Sequence, residues 1–222
     1  MPTLLIADDH PLFREALRGA VRRRLPGANL YEADSVNALY VLVEAHPDAD
    51  LLLMDLNMPG AHGFNALVHL RALHPQLPVV IVSAREEPGV MRRALDHGAL
   101  GFIPKSADSE AIGRAIAQVL DGERWVPIEA HEAPAMGRDE HEVALRLREL
   151  TPQQFRVLQM LCVGRLNKQI AYDLGVSEAT IKAHVTAILR KLGVTNRTQA
   201  VLMAGRLSVD PDRMVPPPEE QD

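Results

Sequence analysis

The segment at residues 50–60 reads DLLLMDLNMPG, and it decides the fold of the first half of the chain. Its apolar run over residues 51–54 lacks polar alternation, which is typical of a strand buried on both faces of a parallel sheet. An acid, Asp55, follows at once, and the turn-forming sequence Asn-Met-Pro-Gly ends the segment. The segment therefore predicts a buried parallel strand with a carboxylate at its carboxyl end.

Outward from this strand, short apolar runs alternate with stretches of helical periodicity throughout residues 1–121. Five such repeats predict an α/β fold, a doubly wound five-stranded parallel sheet of the flavodoxin-like type. The predicted strands are residues 3–7, 29–33, 50–54, 78–82 and 100–103, and the predicted helices are residues 11–24, 35–45, 63–73, 88–97 and 108–120.

The signals in residues 150–206 are all helical and closely spaced. The candidate caps of four helices are Thr151, Asn167, Ser177 and Asn196. Only residues 175–177 separate the second of these helices from the third, which is the spacing of a helix-turn-helix. We therefore predict a small all-α four-helix domain over residues 150–206, a linker over residues 122–149 and a disordered tail over residues 207–222.

The length, charge and cysteine content of the chain limit the classes of protein to which it can belong. A length of 222 residues suits two domains, and the net charge of −5 hides an asymmetry between them. Residues 151–206 carry eight Lys and Arg against two acids, so a basic module that suits nucleic acid is joined to an acidic body. One cysteine, Cys162, cannot form an intramolecular disulfide, and no apolar run approaches the length of a membrane span. With no basic leader at the first residues, we expect a cytoplasmic protein.

The candidate site residues of the first half follow four different predicted strands. They are Asp8 and Asp9 after the first strand, Asp55 after the third, Ser83 after the fourth and Lys105 after the fifth. Because the carboxyl ends of parallel strands meet at one edge of a sheet, we expect these side chains to converge. Three carboxylates in one cavity repel one another unless a cation lies among them, and oxygen-only ligation favours Mg²⁺. A hydroxyl and an ammonium facing Asp55 suit a bound phosphoryl group, which makes Asp55 a candidate nucleophile for phosphoryl transfer.

The third predicted helix of the second domain, residues 178–192, has one apolar and one polar face. The polar face presents Lys182, Ala183, Thr186 and Arg190, which suit base edges and phosphates in a major groove. Further residues predicted to contact DNA are Asn167, Lys168, Thr180 and Lys191. Periodicity alone leaves open a generic three-helix bundle with a solvated basic face.

Short sequence motifs in both halves of the chain resemble the motifs of one protein family. The motifs DDHP at residues 8–11, MDLNMPG at 54–60, SA at 83–84 and GFIPK at 101–105 resemble the receiver domain of bacterial response regulators. The motifs LTP at residues 150–152, NKQIA at 167–171, VSEATIKAHV at 176–185 and KLGV at 191–194 resemble the LuxR-type helix-turn-helix. Together they resemble the NarL/FixJ family of two-component response regulators.

The resemblance implies specific roles for these residues. The implied metal ligands for Mg²⁺ are Asp9 directly, Asp8 in support, Asp55, and Asn57 through its backbone carbonyl. The implied phosphorylation site comprises the phospho-acceptor Asp55, Ser83 and Lys105 as grips for the phosphoryl group, and Phe102 as the switch aromatic. Base contacts are implied for Lys182, Ala183 and Thr186, but the last position is often basic in relatives, so the preferred DNA sequence stays open.

The resemblance also implies partners. They are a sensor histidine kinase, double-stranded DNA bearing an inverted repeat, RNA polymerase, and a second copy of the chain on activation or on DNA. The residues expected at the homodimer contact are Ala200, Val201 and Ala204 of the fourth helix. A regulator of this kind is not an enzyme.

Two alternatives remain open at this stage. An aspartate-dependent phosphatase would need a second acid two residues after Asp55, where this chain has Asn57. A constitutive DNA binder or scaffold would have a degenerate receiver, against which the complete set of pocket residues argues.

Overall fold

The computed structural model describes residues 1–209, which form two compact units that divide between Met136 and Gly137. The predicted tail lies outside the described residues from position 210 onward. Within them, Leu207 is fully buried, so the compact part of the second unit extends beyond the predicted boundary at residue 206. In the described part of the chain, no helix is long and apolar enough to cross a membrane.

The first unit is built on five parallel strands in the order β2-β1-β3-β4-β5, and the predicted fold class is confirmed. The strands are β1 (Thr3–Ala7), β2 (Asn29–Ala33), β3 (Leu51–Met54), β4 (Val79–Ser83) and β5 (Gly101–Pro104). The helices are α1 (Pro11–Arg24), α2 (Val36–Ala45), α3 (Asn65–Leu73), α4 (Pro88–Asp96) and α5 (Ser109–Leu120). β2 lies on one side of β1, and β3 to β5 follow on the other side. Because the connections between parallel strands are right-handed, α1 lies on one face of the sheet and α2 to α4 lie on the opposite face.

Local sequence signals position these elements. The side chain of Ser35 accepts a hydrogen bond from the Ala38 amide at 3.3 Å, and Asp108 accepts one from the Ala111 amide at 2.7 Å. These caps satisfy amide groups that the first turn of a helix leaves without partners. All four residues of β3 are buried, as expected for a central strand covered on both sides.

Residues 122–136, here called the edge segment, belong to the first unit, although the sequence predicted them as linker. The Trp125 amide donates to the Leu100 carbonyl at 3.0 Å, and the Phe102 amide donates to the Trp125 carbonyl at 3.2 Å. Gly101 makes this approach possible, because a Cβ there would lie 3.1 Å from both the Cβ and the carbonyl oxygen of Trp125. A single parallel bridge of this kind has no periodicity, so composition alone classified the segment as irregular.

In the second unit, all regular secondary structure among residues 137–209 is helical. Its helices are α6 (Arg138–Arg148), α7 (Pro152–Cys162), α8 (Asn167–Leu174), α9 (Glu178–Leu192) and α10 (Arg197–Gly205). The predicted four-helix domain is present as α7 to α10, and α6, from within the predicted linker, packs on it through Val143, Ala144 and Leu147. A turn over residues 175–177 joins α8 to α9, as a helix-turn-helix requires.

One predicted cap is corrected by the structure. Asn167 is the first residue of α8 rather than its cap, and Leu166 occupies the capping position. The Gln169 side chain instead accepts a hydrogen bond from the Leu166 amide at 2.9 Å. This backward bond from the third helical residue performs the stabilising role that the sequence assigned to Asn167.

Candidate functional site

The carboxyl ends of β1 and β3 bring three carboxylates together. β1 and β3 are neighbours, and the Asp55 amide continues their pairing by donating to the Ala7 carbonyl at 2.8 Å. One ligand atom from each of Asp8, Asp9, His10 and Asp55 lies within 4.8 Å of all the others. Asp8 and Asp55 are only 1% and 2% exposed, so their charges are held away from bulk water.

Lys105 follows β5 and bridges the two buried acids. Its Nζ atom lies 2.7 Å from Oδ2 of Asp8 and 2.8 Å from Oδ2 of Asp55. Burial alone lowers the pKa of Lys105, but the hydrogen bonds and charges of Asp55 and Asp8 outweigh it and raise the pKa above its ordinary value. The ammonium is therefore charged and partly neutralises an acidic pocket, the name used below for Asp8, Asp9, Asp55 and Lys105.

The acidic pocket retains acceptor capacity that suits a hard cation. Oδ2 of Asp8 and Oδ1 of Asp9 are both buried, and the first has the Lys105 ammonium as its partner at 2.7 Å. His10 Nδ1 lies 2.8 Å from Oδ1 of Asp9, but this histidine is largely exposed at the pocket rim. Clustered carboxylate oxygens with free lone pairs fit a divalent cation such as Mg²⁺.

The remaining predicted pocket residues lie close to Asp55 or on the adjoining strands. The Asn57 amide donates to Oδ1 of Asp55 at 3.2 Å. Ser83 is fully buried at the end of β4, and its Oγ accepts a hydrogen bond from the Arg85 amide at 3.1 Å. Phe102 is fully buried on β5, the strand that leads to Lys105.

Two residues of α1 support the pocket, and the sequence reasoning missed them. Arg14 donates from Nη1 to the Asp8 carbonyl at 2.6 Å and pairs with Glu32 through Nε at 2.9 Å. The Phe13 ring lies under Lys105, with the Nζ atom 4.8 Å from the ring centre. Their only sequence signal is their place in the first turn of the helix after the acid pair, which is too general to identify either.

In the second unit, α9 exposes the face that the sequence predicted. Ile181, Ile188 and Leu192 are buried. The exposed residues on the opposite side, here called the reading face, are Lys182, Ala183, Thr186 and Arg190. Thr180 and Lys168 are also exposed, whereas Asn167 is half-buried.

Two lysines differ in their freedom to meet a partner. Lys182 forms an exposed ion pair with Glu178 at 3.2 Å, an i,i+4 pair that contributes little to stability. Lys191 is held inside the unit, because its Nζ donates to the Glu149 carbonyl at 2.8 Å and to the Gln154 side chain at 2.7 Å. The hydrogen bonds of Lys191 therefore link α9 to the turn between α6 and α7 and to the start of α7.

The structure corrects the predicted dimer residues. Ala200, Val201 and Ala204 are buried in the core of the second unit, with exposed fractions of 0%, 2% and 1%. α10 packs against α7 and α9 through this side, so the three residues are not available to a second copy. Small apolar residues at helical spacing indicate a packed face but do not reveal which neighbour covers it.

Arg146 of α6 holds the carboxyl end of α9. Its Nη1 donates to the Leu192 carbonyl at 2.7 Å, where the helix ends in Gly193 with a left-handed φ of 69°. A cation at this end satisfies a free carbonyl and complements the helix dipole.

We expect Arg146→Gln to destabilise the second unit by about 1–2 kcal/mol, since a charge-assisted hydrogen bond is lost. DNA affinity should fall severalfold as the end of α9 frays. Urea unfolding followed by circular dichroism and a DNA-binding titration would measure both effects. Arg148→Gln, an exposed arginine on the same helix, is the matched control. Equal behaviour of the two variants would show that Arg146 does not position α9.

The two units and their sites define a class of protein: a receiver with an acidic pocket, joined to a helix-turn-helix domain. Family models match in both places, the "Response regulator receiver domain" over residues 4–117 and "Bacterial regulatory proteins, luxR family" over residues 148–204. The chain belongs to the NarL/DegU-type response regulators, which confirms the family predicted from the sequence.

Individual relatives agree with this assignment over nearly their whole length. The glycerol metabolism activator of Pseudomonas putida is 43% identical over 211 residues, which cover 92% of this chain and 96% of that protein. The nitrate/nitrite response regulator NarL of Escherichia coli is 32% identical, covering 90% and 93%. The structure of RcsB from Salmonella enterica serovar Typhimurium bound to promoter P1flhDC has a TM-score of 0.55 at 23% identity, covering 93% and 99%, and shows likeness of fold.

The family places the chain in two-component signalling. Response regulators pair with histidine kinases and bind DNA, and the LuxR-type domain assigns this chain to transcription regulation.

Proposed function

We propose that Mg²⁺-dependent phosphorylation of Asp55, by a sensor histidine kinase or a small phosphodonor, controls dimerisation and sequence-specific binding of double-stranded DNA. The observation that carries the proposal is the buried Asp55 carboxylate, held 2.8 Å from the Lys105 ammonium and beside Asp8 and Asp9. A buried carboxylate flanked by a cation and by further metal-binding oxygens can accept a phosphoryl group and then keep it neutralised.

In the proposed transfer, a carboxylate oxygen of Asp55 forms a bond to phosphorus. The bond from phosphorus to the donor atom, a histidine nitrogen or the oxygen of a small phosphodonor, breaks and the donor keeps that electron pair. The product is an aspartyl phosphate, and no oxidant or reductant takes part. Asn57 supports Asp55 through its amide, which bonds Oδ1 and leaves that oxygen fixed in orientation.

The residues Asp8, Asp9 and Asp55, with the Asn57 carbonyl, would hold Mg²⁺ at this site. When bound, Mg²⁺ supplies positive charge that offsets the repulsion between the pocket carboxylates and the incoming phosphoryl oxygens. The clustering of the ligand atoms of Asp8, Asp9 and Asp55 within 4.8 Å of one another supports this assignment.

Lys105 and Ser83 are the side chains that respond to phosphorylation of Asp55 in this proposal. Once Asp55 is phosphorylated, the Lys105 ammonium transfers its contact from Oδ2 of Asp55 to a phosphoryl oxygen. Ser83 Oγ accepts from the Arg85 amide in the resting pocket, so its own O–H remains available to donate. Movement of Ser83 leaves room beside β4 for the Phe102 ring, and this repacking biases a two-state surface of the receiver toward its active form.

The reading face of α9 would enter the major groove of DNA. Lys182, Ala183, Thr186 and Arg190 would meet base edges, while Lys168, Thr180 and Asn167 would meet phosphates. Two copies on an inverted repeat, recruited after phosphorylation, would regulate transcription together with RNA polymerase.

Incubation of the full-length protein with acetyl phosphate tests the proposal. With Mg²⁺ present, intact-mass analysis should show one added phosphoryl group, and peptide mapping should place it on Asp55. Light scattering should show a shift from monomer toward dimer, and excess EDTA should prevent both changes. A phosphoryl group on another residue, or a modified protein that neither dimerises nor binds DNA more tightly, would contradict the proposal.

A further inference from the structure

We propose that Thr186 makes this protein select a thymine·adenine pair, through the thymine methyl group, at one position in each DNA half-site. The inference rests on the proposed entry of α9 into the major groove. It names the base-pair class that the reading face recognises at its centre.

Thr186 lies in the middle of the reading face. It follows Lys182 by four residues and Ala183 by three, and precedes Arg190 by four, so these side chains share one side of α9. All four are exposed, while Ile181 and Ile188 anchor the opposite side in the core. Whatever base pair faces the middle of this helix therefore meets Thr186 and Ala183.

The Thr186 hydroxyl has already used its proton. Oγ1 donates to the Lys182 carbonyl at 3.0 Å, one turn earlier in the helix. The hydroxyl can therefore accept a further hydrogen bond, but it cannot donate one without breaking this contact. Guanine presents only the acceptors N7 and O6 in the major groove, so Thr186 in this state has no hydrogen-bond donor for guanine.

A thymine·adenine pair offers what this surface can use. The thymine C5-methyl group matches the Thr186 methyl and the Ala183 side chain, which has no polar atom. The N6 amino group of the paired adenine can donate to Oγ1, the acceptor that remains. A lysine or arginine in the same place would select guanine instead, because both donate to O6 and N7.

The two cations beside Thr186 have a different role from its apolar contact with thymine. Lys182 and Arg190 flank Thr186 by one turn on each side and can donate to guanine or to phosphates. Glu178 lies 3.2 Å from the Lys182 ammonium in the free protein and competes with DNA for it. Affinity thus comes from the flanking cations, and Thr186 contributes discrimination at its own base pair.

The test is a selection from a randomised 30-base-pair duplex library. The full-length protein is activated with beryllofluoride and Mg²⁺, and wild type is compared with Thr186→Val, Thr186→Ser and Thr186→Lys. Valine retains the methyl surface without the hydroxyl, serine retains the hydroxyl without the methyl, and lysine marks which base pair residue 186 faces. The selected duplex is then remade with deoxyuridine in place of thymidine at that base pair, which removes only the methyl group.

We expect wild type and Thr186→Val to enrich thymine at the position where Thr186→Lys enriches guanine. Deoxyuridine there should weaken wild-type binding about fourfold, as the loss of one buried methyl contact predicts. Deoxyuridine should weaken binding by Thr186→Ser less than it weakens wild-type binding, because only the Ala183 contact with the methyl group remains, and deoxyuridine outside the half-sites should leave every affinity unchanged.

Two results would overturn the inference in different ways. Enrichment of a defined sequence with guanine at that position, or with full tolerance of deoxyuridine, would refute the thymine readout and leave DNA binding intact. Failure of every protein to enrich any sequence would contradict the proposed function itself, and the inference with it.

Discussion

Replacement of Asp55 by Asn should reduce phosphoryl incorporation from acetyl phosphate to about one hundredth of the wild-type rate or less, because a neutral amide is a far weaker nucleophile than a carboxylate. Dimerisation and DNA binding by Asp55→Asn should then be the same with and without phosphodonor. Intact-mass analysis and light scattering on the full-length protein would measure both effects.

The same substitution should not weaken the fold. Asp55 is one of three carboxylates against a single ammonium in the acidic pocket, so its removal lowers the repulsion while Lys105 retains its contact with Asp8. The matched control is Asp48→Asn, an exposed aspartate just before β3, which should behave as wild type throughout. Continued activation of Asp55→Asn by phosphodonor would refute Asp55 as the acceptor.

Replacement of Lys105 by Gln should have the opposite effect on stability. It removes the cation that lies between Asp8 and Asp55, and we expect the first unit to lose about 2–4 kcal/mol in the absence of divalent cation, because two buried charges lose their partner. Mg²⁺ should recover more stability in this variant than in wild type, because the pocket carboxylates no longer have the competing ammonium, and a cation that binds only the folded state stabilises it more as its affinity rises.

Tryptophan fluorescence makes the Lys105 experiment specific to one unit. Trp125 is the only tryptophan of the sequence and lies in the edge segment, so its emission reports unfolding of the first unit. Urea titrations with EDTA and with Mg²⁺ would be compared for wild type, Lys105→Gln and the charge-preserving control Lys105→Arg. If wild type and Lys105→Gln unfold alike in EDTA and gain equally from Mg²⁺, Lys105 does not offset the pocket charge.

Much of the first unit could be predicted because its information is local and repeated. The apolar runs mark buried parallel strands, and parallel strands bring the residues that follow them to one edge of the sheet. That rule is sufficient to place Asp8, Asp55 and Lys105 together. The rule does not predict the contacts of Arg14 or Phe13 with the pocket. Those contacts depend on how α1 is rotated above β1, and no periodicity of the sequence encodes that rotation.

The second unit shows a different limit. Helix starts and the face of α9 could be predicted from caps and from 3.6-residue periodicity. The resemblance led us to expect Ala200, Val201 and Ala204 at a dimer contact, and periodicity could not correct this, because an apolar helix side has the same pattern whether its own domain or another copy covers it. α6 lies within the segment predicted as a linker, yet its three buried residues and the Arg146 contact make it part of the DNA-binding unit.

The edge segment has a consequence for self-association of the folded protein. An uncovered outer strand offers unpaired amide and carbonyl groups to another chain, which invites strand addition and aggregation. At β5 two of those groups are occupied, because the Trp125 amide donates to the Leu100 carbonyl and the Phe102 amide donates to the Trp125 carbonyl. At the other edge, β2 is short and exposes Asn29 and Glu32, and charge on an outer strand discourages addition. The bridge at β5 and the charged residue on β2 thus both make addition of a further strand to the sheet less favourable.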